Sequence, residues 1–236
     1  MDIHPPEPLL LVPGLNCTGD LFAPLAEILS PGRQVLVADV ASDRTIASMA
    51  GRALARAPAR FALAGLSMGG YVALEIMRQA PARVTRLALL DTSARPDTVE
   101  ASQRRRDLVR IAEGGPAAVD DIHRLLWPRL VHPARASDTQ LEAIVHGMAR
   151  ATGLEAFARQ QAAIMGRMDS RPYLSAIRVP TLVLVGEEDA ITPPELAAEM
   201  AGLIPSAKLV VVPHCGHLST LERPVETLAA VQSWLG

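Results

Sequence analysis

The chain has 236 residues, of which 49% are hydrophobic and 20% charged, with a net charge of −2. That is enough apolar material for the core of one α/β domain and too much for a disordered chain. There is no long basic run to meet nucleic acid, and no apolar stretch approaches the roughly 18 to 20 residues that cross a bilayer.

In chain order, short apolar runs alternate with longer amphipathic segments. Met1-Asp2-Ile3-His4-Pro5-Pro6 has no basic stretch leading into an apolar leader segment. Leu9–Val12 reads as a strand, followed by Pro13-Gly14 and a helical stretch over 20–29. A strand is expected over 34–40, a helix over 46–57, a strand over 61–66 and a helix running to Gln79. Strands follow over 86–90, 181–185 and 208–212, with helices over 194–203 and 225–235. The strands are continuous Leu and β-branched runs rather than alternating ones, which indicates burial on both faces and a parallel sheet. The expected architecture is therefore α/β: a doubly wound, mostly parallel sheet of about six strands.

Residues 94–179 break this rhythm, with helical patterns over 99–113, 117–126, 139–151 and 154–165 and no strand. So long an insertion between two core strands is not a plain loop. It reads as a helical cap over the carboxyl edge of the sheet, so that 1–93 and 180–236 form the core. The basic triplet Arg104-Arg105-Arg106 reads as a solvated helix face.

The segment with most chemical content is Gly65-Leu66-Ser67-Met68-Gly69, a G-x-S-x-G between a predicted strand and a predicted helix. In that context the turn holds Ser67 in a strained conformation at the top of a sheet, beside the N-terminus of the next helix. A serine hydroxyl needs a base to take its proton, and the base needs an orienting group. Open parallel sheets place such groups just after strands. Asp189 follows the 181–185 strand and His217 follows the 208–212 strand, in the order Ser67, Asp189, His217. His214 competes for the base, and Asp91, which ends the 86–90 strand, competes for the acid; its plainer role is to cap the start of the insertion. Glu187 and Glu188 read as facing solvent or orienting the Asp189 loop.

These residues, with Pro13-Gly14-Leu15, Gly70, the run 180–189 and Cys215-Gly216-His217, resemble the α/β-hydrolase superfamily over essentially the whole chain. Within it, they are similar to small carboxylesterases and enol-lactonases. The resemblance implies Ser67 as nucleophile, His217 as base, Asp189 as its orienting carboxylate, and an oxyanion hole formed by the backbone N–H groups of Leu15 and Met68. It also implies hydrolysis of a small carboxylic ester or lactone through an acyl-enzyme. A same-fold synthase or lyase, a cofactor-free peroxidase and a ligand sensor are the alternatives. Two departures stand out: the two first edge strands of many members are missing, and Pro13-Gly14 replaces His-Gly before the oxyanion residue.

Possible pocket residues are Asn16, beside Leu15, and Arg124, Trp127 and Arg167, the last three from polar and aromatic groups in the cap. No metal-ligand spacing is present, and no cofactor is expected. Two cysteines, Cys17 and Cys215, do not form a disulfide framework. The expected protein is soluble and cytoplasmic, a monomer or homodimer, with a small molecule rather than nucleic acid or membrane as its partner.

Overall fold

Leu9–Val12, four apolar residues in a row, form β1 and are buried to the last atom or nearly so. They belong to a computed structural model that describes residues 6–236, so the leader reading of the N-terminal hexapeptide falls almost wholly outside the described residues. The other strands are β2 (Val35–Val37), β3 (Phe61–Leu66), β4 (Val84–Leu90), β5 (Thr181–Gly186) and β6 (Ala207–Val212). They form one sheet in the order β2-β1-β3-β4-β5-β6, with every adjacent pair parallel.

The period of two sorts side chains onto the two faces. Leu10, Val12, Leu63, Leu89 and Val183 pack into one core; Leu9, Leu11, Ala64, Leu90 and Leu184 pack into the other. Helices α2 (Ile46–Arg56), α3 (Met68–Gln79) and α9 (Pro194–Leu203) cover the first face, and α1 (Ala23–Leu29) and α11 (Pro224–Leu235) the second. Burial on both faces is why these strands carry no alternation in sequence.

Four longer helices and one short one lie between β4 and β5: α4 (Val99–Ala112), α5 (Ala118–Leu130), α6 (Thr139–Thr152), α7 (Leu154–Met165) and α8 (Arg171–Leu174). Local chemistry starts several of these helices. Thr98 accepts the N–H of Ala101 at 3.1 Å and Asp138 that of Leu141 at 3.0 Å, as Thr45 accepts that of Ser48 at 3.0 Å before α2. The short α10 (Ser219–Glu222) precedes α11.

Two boundaries differ from the sequence reading. The strand expected over 34–40 pairs only through Val37, because Asp39 turns the chain by accepting the Ala41 N–H and the Ser42 hydroxyl. The helix expected to stop at Leu126 continues to Leu130 through Pro128, which sits on the exposed side where a missing N–H leaves its carbonyl partner to solvent.

β1 and β3 are neighbours, yet the chain leaves β1 toward β2 on one side and β3 toward β4 on the other. Loops after these two strands diverge and open a crevice at the carboxyl edge, where open α/β sheets hold their ligands. Leu15 follows β1, and Ser67 follows β3.

Candidate active site

The turn after β3 forces Ser67 to φ 56°, ψ −118°, outside the ordinary range for an L-residue. The turn closes because its flanking residues lack side chains. A Cβ on Gly65 would run into the Gly69 carbonyl, and one on Gly69 into the Val12 carbonyl. Ser67 thus stands at the N-terminus of α3, with the N–H of Met68 in the helix's first turn, where no intrahelical acceptor exists. Across the crevice the Leu15 N–H has no acceptor among the described residues. The next N–H, that of Asn16, is taken by Gln160 Oε1 at 3.0 Å.

Ser67, His217 and Asp189 lie in one hydrogen-bonded line. His217 Nε2 is 2.8 Å from Ser67 Oγ, and its Nδ1 is 2.8 Å from Asp189 Oδ2. Asp189 and His217 are buried, 3% and 2% exposed. Asp189 also accepts the N–H groups of Ile191 and Thr192 at 2.8 and 2.9 Å and the Thr192 hydroxyl at 2.8 Å. Burial pushes the Asp189 carboxyl up, but the charge and hydrogen bond of His217 and these donors outweigh it and hold it below the usual carboxylate value. For His217 the balance runs the other way. Burial lowers its pKa, and the charge and hydrogen bond of Asp189 override that and raise it.

The two competitors lie elsewhere. Asp91 is fully buried and accepts the Gly186 N–H at 3.0 Å and the Ser219 hydroxyl at 2.5 Å, tying the ends of β4, β5 and α10 together. It therefore does not cap the insertion, the plainer role given to it from sequence. Its pKa is pushed up to about 8, by burial first and then by the charge of Asp189. His214 is exposed, in a left-handed turn with φ 54°.

His214 does meet His132 and Glu188, with ligand-type atoms within 4.8 Å of one another. The Ala134 N–H donates to His132 Nδ1 at 3.1 Å, which places the proton of the neutral ring on Nε2, facing Glu188 Oε1. A metal on that nitrogen would cost both arrangements. Glu188 instead accepts the Cys215 N–H at 3.0 Å and holds the loop before His217. The same loop is anchored by the His217 N–H donating to Leu130 O at 3.0 Å, and by the buried Glu222 accepting from His132 N–H at 2.7 Å.

A cavity of about 600 Å³ opens above Ser67 and His217, bounded by the loop Gly14–Cys17 and the helices between β4 and β5. Asn16 and Arg167 line it. Arg124 and Trp127 do not. Arg124 is exposed and paired with Asp121 at 3.0 Å, because its position on α5 faces away from the sheet. Trp127 is buried in the second core, its indole N–H donating to Ala136 O at 2.9 Å.

The basic triplet also needs correction. Arg106 is solvated and bonds Gln103, but Arg105 turns inward to Asp97 and Gln161. Sequence reasoning passed over Thr192, Gln160 and Gln161. The helical spacing of Phe157, Gln160, Gln161 and Ile164 is the signal that puts both glutamines on the buried face of α7.

Both cysteines are free thiols. No helix among the described residues is long and apolar enough to cross a membrane.

Residues 9–231 match the Alpha/beta hydrolase family. A thermophilic esterase from Thermogutta terrifontis, solved with malate bound, superposes with a TM-score of 0.87 at 32% identity, covering 97% of this chain and 89% of that one. The enol-lactonase from Burkholderia xenovorans LB400 gives 0.86 at 25% identity, with 97% and 91% covered. A pimeloyl-[acyl-carrier protein] methyl ester esterase from Nitrosomonas europaea is 28% identical over 176 residues, 72% of this chain and 69% of that protein. With a parallel six-stranded sheet flanked by helices and a family match over nearly its whole length, the chain belongs to the alpha/beta hydrolase family.

Proposed function

We propose that this protein is a serine hydrolase that cleaves a small carboxylic ester or lactone through an acyl-enzyme. The observation that carries the reading is the line Ser67–His217–Asp189, with both contacts at 2.8 Å. Similarity to proteins named as esterases and an enol-lactonase supports it.

In this reading Ser67 Oγ attacks the substrate carbonyl while His217 Nε2 takes its proton. The Leu15 and Met68 N–H groups receive the developing oxyanion. Such a donor is typically worth about 2.7–4 kcal/mol in the transition state. His217 then protonates the leaving alkoxide, and in the second half removes a proton from the water that releases the acid. Asp189 fixes the His217 proton on Nδ1 and stabilises the imidazolium. Two N–H groups and a hydroxyl already hold Asp189 in place, so it reaches the transition state without reorganising.

The test is hydrolysis of p-nitrophenyl esters with two to twelve acyl carbons, wild type beside Ser67→Ala. Turnover is expected with short acyl chains and is expected to fall at least about 10⁴-fold in the variant. Equal rates for the two proteins on every ester would overturn the reading and return the synthase, lyase and sensor alternatives to first place.

A further inference from the structure

One wall of the cavity over Ser67 is made of hydrogen-bond donors that have too few acceptors. Asp97, at the start of the inserted helices and 4% exposed, accepts from Arg105 Nε at 2.7 Å and from Arg167 Nη1 at 2.6 Å. Arg95 and Asp107, which line the same cavity, are matched by Glu199 and Arg110. Asp97 is thus shared by two guanidinium groups, and this buried cluster carries one more cation than anion; Arg104 and Arg129, which also line the cavity, are exposed to solvent.

That charge is held in place. Arg167 is 8% exposed, lies over the Tyr71 ring at 4.3 Å, and donates to the carbonyls of Arg95 and Ile164 at 2.9 Å each. Arg105 Nη1 donates to Gln161 Oε1 at 3.0 Å, which orients the amide. Gln161 itself is fully buried, lines the cavity, and its Nε2 has no acceptor. Arg105 Nη2 and Arg167 Nη2 also lack one among the described residues.

A buried excess charge and an orphaned buried donor are each costly, and one ligand relieves both. We propose that Arg105, Arg167 and Gln161 form a carboxylate subsite, and that the substrate is an ester or lactone with a free carboxylate remote from the scissile bond. This rests on the ester-hydrolase reading of Ser67. A carboxylate supplies a negative charge against the excess positive charge of the Arg105–Asp97–Arg167 cluster, and its two oxygens match planar N–H donors. A neutral ester carbonyl could accept from Gln161 Nε2 but would leave the excess positive charge of Arg105 and Arg167 unmatched. The cavity volume suits a small molecule spanning both positions.

Monomethyl glutarate and monomethyl adipate, each beside its neutral carboxamide isostere, test the proposal. The expected kcat/KM favours the carboxylates by about tenfold or more, carried mainly by KM. Arg105→Met and Arg167→Met should each bring that ratio toward one. Glutarate should also inhibit p-nitrophenyl acetate hydrolysis competitively, and Gln161→Glu, which puts a negative charge into the subsite, should abolish that inhibition. This second measurement decides the matter if an arginine variant does not fold.

Ser67-dependent turnover with equal rates on acid and amide, or glutarate inhibition unchanged by Gln161→Glu, would overturn the subsite and leave the hydrolase reading intact. No Ser67-dependent turnover of any ester would overturn the hydrolase reading instead. Calorimetric titration of glutarate into wild type and Gln161→Glu would then decide the subsite alone: binding lost in the variant supports it, and no binding to wild type overturns it.

Discussion

Around His217 stand two buried carboxylates whose environments drive them apart. Asp189 is held ionised by His217 and three further donors, while burial and the charge of Asp189 push Asp91 up to about 8. Pairs of acids separated in this way take different roles. Asp189→Asn should lower kcat by about 10⁴-fold, because the amide NH2 that replaces Oδ2 donates to His217 Nδ1 and moves the ring proton to Nε2, where it can no longer accept from Ser67. The acid limb of the kcat/KM profile should lie above the ordinary histidine value of 6.5, since the base must be neutral, and should move down when Asp189 no longer holds the proton.

Asp91→Asn should retain most activity and change stability instead. Unfolded Asp91 loses its proton near 3.8 and the folded residue only near 8, so between those values the native state binds the extra proton and stability falls as pH rises. The variant should flatten that slope in urea melts recorded across the window. A crippling Asp91→Asn beside a nearly silent Asp189→Asn would reverse the assignment.

The element that joins the inserted helices to the sheet is α7. Gln160, fully buried, donates to Val40 O at 3.2 Å and accepts the Asn16 N–H at 3.0 Å. It fixes the loop after β1 in the register that leaves the Leu15 N–H free, with Asn16 itself at φ 58°. Gln160→Ala should therefore cost kcat about 10- to 100-fold, with KM close to wild type, since a displaced oxyanion donor is felt mainly in the transition state. A raised KM with unchanged kcat would show that Gln160 shapes the pocket and not the hole.

This element also shows how far sequence carries. Phe157, Gln160, Gln161 and Ile164 share a helical face, so burial of the glutamines was legible. The partners of Gln160 were not, because Val40 and Asn16 lie more than a hundred residues away along the chain. Arg105 was misread for a related reason: a run of three arginines suggests solvent, and only the position of Asp97 beside α4 turns the middle one inward. Ser67 was legible because a local turn makes it, with strand, glycines and helix contiguous.

At the scale of the molecule, strand order does what no single motif can. Placing β1 beside β3 brings the Leu15 loop to the Ser67 turn, and placing β5 and β6 next along the sheet carries Asp189 and His217 toward the same edge. Continuous apolar runs announced the parallel sheet; they could not announce the cavity, whose wall depends on how α4, α5 and α7 pack over that edge.

The central claim is that Ser67 becomes acylated. Rapid mixing with p-nitrophenyl acetate, followed by intact-mass and peptide mapping, tests it most directly. The account predicts a burst of one p-nitrophenolate per chain and one acetyl group on the peptide carrying Ser67, with both absent in Ser67→Ala and the acetylated form accumulating more in His217→Ala if acylation is forced at high pH. Steady turnover with no acetyl group on Ser67, or a burst that survives Ser67→Ala, would contradict it.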